Sequence, residues 1–380
     1  MKLVFVTNYI NHHQVHLADE FYSKLKGDYY LVATSDIPQE RKNLGYPDFS
    51  DRPYLFKAYE SRKMYNYAQN LASHADVVII GSAPESMVAD RIRSGKLTFR
   101  YNERWYKSRP WFLNTPRGWL NIFRNHIQHR DKPLYMLCAS AYTSVDVNKL
   151  GLYLNKCYRW GYFTRVDDID DVIKEKLFLT TSNPIRIIWC ARFLDWKHPE
   201  LAVKLAERLK NKGYNFVIDM FGCGEELYTT IKYAKKKNLS DVICFHGSKP
   251  NDEILSEMRK HDIFIFTSDK NEGWGAVLNE AMSNGCAVVG SNEIGAVPFL
   301  IEDGVNGLIF KSRDLDSLEK EVVYLIEHPN ERARMVKNAY RTMREVWSPE
   351  NAAKQFLQLV EALKSNDESL IPSYGPGSKI

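Results

Sequence analysis

A strand, a glycine-rich turn and a helix follow one another between Ile263 and Met282, and no other segment constrains the fold as strongly. The apolar run Ile263–Thr267 is typical of a buried strand. Two carboxylates, Glu272 and Glu280, flank the turn 273–276 and lie eight positions apart. In turns of this kind, backbone N–H groups and the dipole of the following helix point at an anion. The segment therefore predicts a phosphate-binding turn at the end of a strand.

The spacing of the two carboxylates indicates the shape of the ligand. At a rise of ~1.5 Å per residue, a helix over residues 273–280 would place Glu280 roughly 12 Å from Glu272 along the axis. A carboxylate on each side of a phosphate site suits a ligand with a diphosphate in its middle and hydroxyl-rich sugars at both ends. Nucleotide sugars have this shape.

The remainder of the chain alternates strand-like and helical patterns, which predicts parallel sheets with helices on both faces. In the first half we expect strands at Leu3–Thr7, Tyr30–Thr34, Val77–Gly81 and Leu134–Cys138. In the second half we expect strands at Arg186–Cys190, Asn215–Phe221, Val242–His246, Ile263–Thr267, Ala287–Gly290 and Gly307–Phe310. A capping box over residues 316–319 is expected to open a helix. The fold class is therefore α/β, with two Rossmann-like, doubly wound domains.

Composition shifts suggest where these domains begin and end. We expect an N-terminal domain over residues 1–175 and a C-terminal domain over 183–349, with a seam over 167–182 that begins with an acidic run. The tail 365–380 is rich in Ser, Pro and Gly, which predicts disorder. Ligands of parallel α/β sheets bind at the carboxyl ends of the strands, so the site is expected there.

Composition and charge exclude several classes of function. The chain has 380 residues, of which 44% are hydrophobic and 26% charged, as in an ordinary globular protein. A net charge of +5 is too small to indicate nucleic-acid binding. No run approaches the ~20 apolar residues of a membrane span, and Met1–Asn8 is too briefly apolar for a signal peptide. The six cysteines show no metal-ligand spacing, so we expect free thiols in a cytoplasmic protein.

Further motifs accompany the E-x7-E segment. They are R-x4-K at Arg192 and Lys197, G-x-G-x-E at Gly222, Gly224 and Glu225, a strand-end glycine at Gly247, and the segments Gly295–Pro298 and Asp303–Phe310. Together they resemble the retaining family-4 glycosyltransferases of the GT-B fold, over about residues 185–345. The resemblance implies two domains that face a central cleft, and a C-terminal helix at about 350–364 that crosses back to the first domain.

For the donor's diphosphate, the resemblance implies two cationic side chains and one stretch of backbone. Arg192 offers a bidentate fork, and Lys197 offers a mobile point charge. Charged groups placed where charge develops are typically the largest contribution to catalysis of this kind. Two solvated surface cations are the alternative. The backbone amides of the turn would complete the site, contributed by Gly273, Trp274, Gly275 and Ala276.

The two glutamates have separate implied roles. Glu272 would lie beside the transferred sugar, and the sequence leaves open whether it acts as a covalent nucleophile. Glu280 would accept hydrogen bonds from the ribose hydroxyls, for which a carboxylate needs no unusual pKa. Two exposed glutamates stabilised by a helix dipole are the alternative. The residues expected near the nucleotide are Gly222, Gly224, Gly247 and Lys249.

The first domain should supply the acceptor pocket and any general base. Where many relatives have a glycine-rich loop after the first strand, this chain has Asn8–Gln14, which contains His12 and His13. Histidine titrates near pH ~6.5, so it can move a proton or donate a hydrogen bond to a phosphate. We expect His13, or else His12, to assist catalysis, with Glu85 as a second candidate. Histidines packed or hydrated at a helix start are the alternative.

Basic and aromatic residues alternate over residues 96–132. The cations are Arg100, Arg104, Lys107, Arg109, Arg117, Arg124 and Arg130, and the aromatic residues are Tyr101, Trp105, Tyr106, Trp111, Phe112, Trp119 and Phe123. Such mixtures suit a bilayer interface, where aromatic rings lie at headgroup depth and cations meet anionic lipid. We expect a peripheral contact with the inner face of the cytoplasmic membrane. A helical insertion with its aromatic rings packed on the domain core is the alternative.

Two D-x-D pairs, Asp168 with Asp170 and Asp314 with Asp316, resemble the metal site of transferases with another fold. Neither pair accompanies the phosphate turn, so we expect transfer without a metal or a resident cofactor. The expected reaction moves a sugar from a UDP- or GDP-sugar to a hydroxyl of a bacterial surface glycan or its lipid-linked precursor. A nucleotide-sugar epimerase, a phosphorylase-like enzyme and a catalytically silent glycan-binding partner remain open alternatives.

Overall fold

The structure, a computed structural model, describes residues 1–39, 47–107, 115–178 and 184–380. The chain forms two compact units, one from residues 1–164 and 347–380 and the other from residues 165–346. The expected seam is therefore misplaced, because the first unit ends at residue 164 and the acidic run 167–171 belongs to the second unit. The end of the expected seam, residues 179–182, lies outside the described part of the chain.

The first unit contains a parallel sheet of seven strands. The strands are β1 Leu3–Thr7, β2 Tyr29–Ala33, β3 Leu55–Lys57, β4 Val77–Ile80, β5 Thr98–Asn102, β6 Leu134–Cys138 and β7 Cys157–Arg159. Their order in the sheet is β3-β2-β1-β4-β5-β6-β7. The helices between them are α1 His12–Lys24, α2 Arg62–His74, α3 Ala89–Arg93, α4 Pro116–Asn125 and α5 Thr143–Asn148. The sequence did not predict β3, β5 and β7, because β3 and β7 are three residues long and β5 is partly polar.

The second unit contains a parallel sheet of six strands. The strands are β8 Ile185–Cys190, β9 Phe216–Phe221, β10 Ile243–Gly247, β11 Ile263–Phe266, β12 Ala287–Ser291 and β13 Leu308–Phe310. Their order is β10-β9-β8-β11-β12-β13. The helices are α6 Asp170–Phe178, α7 Pro199–Asn211, α8 Leu227–Lys236, α9 Asn251–Lys260, α10 Val277–Ser283, α11 Val297–Leu300, α12 Leu315–Glu327 and α13 Pro329–Arg341. These six strands lie within one residue of their predicted bounds, since each is a nearly continuous apolar run.

The start of α12 differs from the prediction. Asp314 is the N-cap, and its side chain accepts hydrogen bonds from the backbone N–H groups of Asp316 and Ser317. The predicted capping box over 316–319 is therefore wrong, because the helix begins earlier and residues 316–319 lie within its first two turns.

The C-terminal residues belong to the first unit. Helix α14, Pro349–Ser365, buries Phe356, whose ring lies 5.1–5.6 Å from the rings of Phe21, Phe99 and Trp160. The prediction of a disordered tail over 365–380 is wrong. The backbone N–H of Arg159 donates to Ser378, and the N–H of Ile380 donates to Cys157. The tail therefore runs along the edge strand β7 and satisfies backbone groups that would otherwise face solvent.

No helix in the described ranges has both the length and the apolar character to cross a membrane.

Candidate functional site

The strand order places two loops of the second unit at one point. Strands β8 and β11 are neighbours, and from them the sheet continues outward in opposite directions. Ligands of open α/β sheets bind beyond the carboxyl ends of strands at such a switch point. The loop after β8 carries Arg192 and Lys197, and the loop after β11 carries Glu272. The fold therefore brings together residues that lie far apart in sequence.

Lys197 and Glu272 form an ion pair with little solvent exposure. Lys197 is 9% exposed, and its Nζ atom pairs with Oε2 of Glu272. Ser268 Oγ donates a hydrogen bond of 3.2 Å to the same carboxylate oxygen. The ammonium also lies 4.3 Å from the centroid of the Trp196 ring. These contacts hold one positive and one negative charge in fixed positions beside the turn 273–276.

Arg192 differs from Lys197 in having no partner of this kind. Its side chain is exposed, and its guanidinium makes no ion pair with any residue in the described ranges. The two predicted cations therefore have different states, because Lys197 is engaged by a carboxylate whereas Arg192 is available to an anion from solvent.

Two glycines allow the loops around the site to pack closely. A Cβ on Gly222 would lie 1.9 Å from the carbonyl oxygen of Ala191, and a Cβ on Gly224 would lie 2.3 Å from that of Phe193. The Phe193 N–H donates to the Cys223 carbonyl, and the Gly222 N–H donates to the Gly247 carbonyl, each at 2.8 Å. The glycines are therefore required for close packing of the loops after β8, β9 and β10.

The turn itself presents backbone donors. Gly275 has φ +97°, and a Cβ there would lie 2.6 Å from the Phe266 ring. The backbone N–H groups of Gly273, Gly275 and Ala276 donate to no other residue that the structure describes. The Trp274 side chain is fully buried and donates from Nε1 to Asn279. Of this residue, only the backbone can therefore contact a ligand at the turn.

Glu280 is more deeply buried than Glu272. It is 8% exposed, and Asn251 Nδ2 donates to its Oε1 at 3.3 Å. Burial raises the pKa of Glu280 to about 7, a shift that the sequence pattern did not indicate. Burial also raises the pKa of the Cys190 thiol to about 12, with the charge of Glu280 adding to this rise and that of Lys197 opposing it. Both charged groups therefore lie near the end of β8.

Asp269 is a site residue that sequence reasoning missed. Its Oδ1 accepts hydrogen bonds of 2.9 Å from the backbone and the side chain of Asn271, and its Oδ2 faces His198 and Arg313. Its backbone N–H donates to Trp196 at 3.0 Å. Burial opposes ionisation, but these hydrogen bonds outweigh burial and lower the pKa of Asp269. The carboxylate therefore ties the Lys197 loop to the Glu272 loop, and its position just after an apolar strand was the available signal.

The remaining nucleotide-site prediction, Lys249, lies on the surface. Its Nζ is 3.2 Å from a carboxylate oxygen of Glu253, one turn along the chain. Such exposed pairs constrain a side chain weakly.

In the first unit, the histidines open α1 after β1. Asn11 caps the helix and accepts a hydrogen bond of 2.9 Å from the His13 N–H. The rings of His12 and His13 lie 3.8 Å apart, and the His13 ring meets Tyr162 edge-on at 5.8 Å. Strands β1 and β4 are neighbours at the switch point of this sheet, which places the histidine loop where ligands bind.

Glu85, the second candidate of the first unit, is engaged in a structural pair. Its two carboxylate oxygens accept hydrogen bonds of 2.6 and 2.9 Å from Arg100. Arg100 lies in β5 and is 4% exposed. Glu85 therefore neutralises a buried cation, which makes it a poor general base.

The basic aromatic region 96–132 is not one surface. Arg100 is buried in the sheet, and the Arg104 guanidinium lies over the Tyr142 ring at 4.5 Å. Exposed apolar side chains are instead concentrated on α4, where Trp119, Leu120 and Phe123 are 46%, 46% and 51% exposed. The members of the region that lie outside the described residues are Arg109, Trp111 and Phe112.

Comparison with known proteins finds sequence similarity to glycosyltransferases, with the family match inside the second unit. Residues 172–342, just under half of the chain, match the family model described as Glycosyl transferases group 1. The uncharacterized glycosyltransferase MJ1069 of Methanocaldococcus jannaschii is 29% identical over 212 residues, which cover 54% of this chain and 52% of the relative. The amylovoran biosynthesis glycosyltransferase AmsK of Erwinia amylovora is 28% identical over 187 residues, which cover 48% of this chain and 46% of the relative. The chain spans about half the length of these curated relatives.

Solved structures resemble the whole chain in fold. The crystal structure of Alr3699/HepE from Anabaena in complex with UDP has a TM-score of 0.70 at 14% identity, and the match covers 96% of this chain and 100% of that one. TarM, from S. aureus, has a TM-score of 0.66 at 11% identity, with 94% and 98% covered. These likenesses confirm the predicted fold class, GT-B with two Rossmann-like parallel-sheet domains.

Proposed function

We propose that this chain, whose residues 172–342 match the group 1 glycosyltransferases, transfers a hexose-type sugar from a UDP- or GDP-sugar to a hydroxyl of a glycan or lipid-linked acceptor, with retention of the anomeric configuration. The observation that carries the proposal is the ion pair of Lys197 and Glu272 beside the turn 273–276. Support also comes from HepE, whose crystal structure contains UDP.

The donor's diphosphate would bind at the turn. Arg192 is available as a bidentate partner, and Lys197 would exchange its contact with Glu272 for one with a phosphate oxygen. The backbone N–H groups of Gly273, Gly275 and Ala276 would add three donors. When the bond between the anomeric carbon and the phosphate oxygen breaks, the negative charge that develops on the diphosphate is stabilised by these groups.

Glu272 is released for a second role when Lys197 turns to the phosphate. Its carboxylate would accept hydrogen bonds from hydroxyls of the transferred sugar and stabilise the positive charge that develops at the anomeric carbon. The acceptor oxygen forms its bond to that carbon on the face that the diphosphate leaves. The acceptor's proton passes to the leaving diphosphate or to a histidine of the first unit, for which His13 is the first candidate and His12 the second.

Glu280 would bind the ribose of the donor. A vicinal diol donates two hydrogen bonds, which favour the ionised carboxylate over the neutral acid. Burial raises the pKa of Glu280 in the protein without donor to about 7. Donor binding would therefore release a proton from Glu280 near neutral pH.

We also propose that transfer needs no metal ion and no resident cofactor. Asp170 pairs with Arg344 at 2.8 Å, and Asp314 caps α12, so each D-x-D pair has a structural use. Chelator treatment should leave the rate unchanged. A rate that falls with chelator and returns with Mg²⁺ or Mn²⁺ would contradict this part of the proposal.

Product analysis tests the reaction. The purified chain is incubated with each of a panel of UDP- and GDP-sugars and a hydroxyl-bearing glycan acceptor, and the product's anomeric configuration is read by NMR. We expect a glycoside with the donor's configuration. Interconversion of donors without an acceptor would indicate an epimerase instead. Donor binding without turnover on any acceptor would indicate a silent glycan-binding partner.

We further propose that α4 makes the peripheral membrane contact. Its outward side presents Trp119, Leu120 and Phe123, while Gly118 and Ile122 face inward and are buried. The helix also carries two exposed arginines and no acidic residue, and each cation near an anionic bilayer contributes about 1 kcal/mol. Aromatic and aliphatic side chains would enter the headgroup region.

Vesicle binding tests this contact. The wild type should co-sediment with vesicles that contain phosphatidylglycerol and bind pure phosphatidylcholine more weakly. Replacement of Trp119, Leu120 and Phe123 by serine should abolish binding, whereas Tyr228→Ser, which removes an exposed aromatic side chain from the second unit, should not. Equal binding by all three proteins would exclude α4 as the contact.

A further inference from the structure

A histidine, a cysteine and an aspartate meet at the edge of the second sheet, within strands β9 and β10 rather than in the loops that follow them. Cys244 and His246 are two residues apart in β10, so both side chains lie on the same face of the sheet. The register pairs Cys244 with Asp219 of β9, which adds the carboxylate to that face. One ligand atom from each of the three residues lies within 4.8 Å of the other two.

We propose that Asp219, Cys244 and His246 bind a divalent transition-metal ion of the zinc class. Thiolate, imidazole and carboxylate are the side chains that bind Zn²⁺ in proteins, at about 2.0–2.3 Å, which places tetrahedral ligand atoms about 3.3–3.8 Å apart. Cys244 and His246 are exposed on an edge strand, so they can adjust to this spacing without disturbing the core. The fourth position is open to water or to an added ligand.

Both carboxylate oxygens of Asp219 already have partners in the protein. Asp219 Oδ1 lies 2.6 Å from His246 Nε2, while Oδ2 accepts from Arg186 at 3.0 Å and lies 2.8 Å from His261 Nε2. Partners of this kind orient a ligating carboxylate. The His246 ring is also stacked on Phe221, with centroids 4.6 Å apart. Asp219 and His246 are therefore held side by side, and the 2.6 Å contact between them opens to the spacing of metal ligands when an ion binds.

The positive charge of Arg186 limits the affinity of the site for a metal ion. Its positive charge beside Asp219 opposes a second cation, so the wild type should bind more weakly than a closed structural zinc site. Removal of this charge should therefore strengthen metal binding, an effect opposite to that of removing a ligand. This difference in sign separates a metal site from a purely structural charge network.

Cobalt titration tests the site without reference to activity. The metal-free, reduced full-length chain is titrated with Co²⁺, and thiolate coordination is read from the near-ultraviolet charge-transfer absorption. We expect one Co²⁺ per chain, displaced by Zn²⁺. Cys244→Ser should remove the absorption, and His246→Ala should weaken binding at least about 10-fold. Arg186→Ala should tighten it. Cys223→Ser, which changes another exposed cysteine, is the matched control and should behave as the wild type.

Several outcomes would overturn the proposal. They are an absence of thiolate absorption in the wild type, its persistence in Cys244→Ser, and weaker binding in Arg186→Ala. Circular dichroism and thermal unfolding of each variant establish that it is folded, and the exposure of Cys244 and Arg186 favours this. The result is independent of the proposed transferase reaction, because it reports metal binding alone.

Discussion

The loops after β11 and β1 occupy the same kind of position in their own sheets, yet they are built differently. Each begins at the carboxyl end of a central strand at a switch point. The loop after β11 holds Glu272 against Lys197, contains a glycine with no room for a Cβ, and is tied down by Asp269. The loop after β1 has an Asn11 cap and two adjacent imidazole rings. Topology provides a place for a ligand in both units, but fixed charges and backbone donors are concentrated in the second.

This difference separates two kinds of effect. Changes in the second unit should act on the donor and its diphosphate, because charge and amides are assembled there. Changes in the histidine loop should act on the transfer to the acceptor and leave donor binding intact. Each prediction below tests whether the two units have these separate roles.

The largest effect is expected from Lys197→Ala. Loss of the ammonium removes a charge from the diphosphate site and leaves Glu272 without its partner. Steady-state kinetics should show a fall in kcat of about 10²–10³-fold, as when one preorganised group is lost from a transition-state site. Lys270→Ala removes an exposed lysine from the loop that carries Glu272 and is the control. Turnover of Lys197→Ala close to wild type would remove Lys197 from the mechanism.

His13→Ala should lower transfer to the acceptor by about 100-fold, near the lower end of general acid–base contributions. Donor affinity and slow donor hydrolysis should be unchanged, since the diphosphate site lies in the second unit. The two activities are separated by measuring nucleotide release with and without acceptor. His74→Ala, which removes an exposed histidine at the end of α2 in the same unit, is the control. Equal loss of hydrolysis and transfer in His13→Ala would show that the division between the units is wrong.

Glu280→Gln should weaken donor binding about 10- to 30-fold, because hydrogen bonds to a charged group contribute about 1.5–2 kcal/mol.

Glu280→Gln should also stabilise the protein in alkaline solution. The pKa of about 7 in the folded state lies above the unfolded value of ~4.3, so the cost of ionising Glu280 begins above pH ~4.3 and is complete above pH 7. Glutamine avoids this cost, which is at most about 4 kcal/mol. Denaturant unfolding at pH 5 and pH 8 measures it, and a variant less stable than wild type at pH 8 would contradict the assignment.

The smallest effect concerns pH. If the donor binds only to ionised Glu280, affinity should rise by up to about 10-fold between pH 6 and pH 8, since the pKa of the free protein is about 7. Calorimetry in buffers of different ionisation enthalpy should detect proton release on binding. In Glu280→Gln the dependence on pH should disappear, and its persistence there would assign the titration to another group.

The sequence was sufficient for the second sheet and for the position of the turn 273–276 at the end of β11. Most residues of its strands are apolar, and glycines that closely packed loops require follow β9 and β11. It was not sufficient for β5, because the buried Arg100 depends on hydrogen bonds to Glu85 and to the Asn125 carbonyl, fifteen and 25 residues away in sequence. The ion pair of Lys197 and Glu272 joins residues 75 positions apart and becomes visible only in the fold.

Composition also led to wrong predictions for two segments, the tail 365–380 and the region 96–132. The Gly- and Pro-rich tail indicated disorder, but hydrogen bonds to β7 order it. The alternation of basic and aromatic residues indicated one surface, but tertiary contacts bury Arg100 and place Arg104 over an aromatic ring. In both cases, contacts with distant elements decided the outcome.

Calorimetric titration with nucleoside diphosphates tests the central claim most directly. At pH 8 we expect UDP or GDP to bind with one molecule per chain, and to bind more weakly to both Glu280→Gln and Lys197→Ala while Lys270→Ala retains wild-type affinity. The account would be contradicted if none of UDP, GDP, ADP and TDP binds at millimolar concentration, or if the two site variants bind as tightly as the wild type.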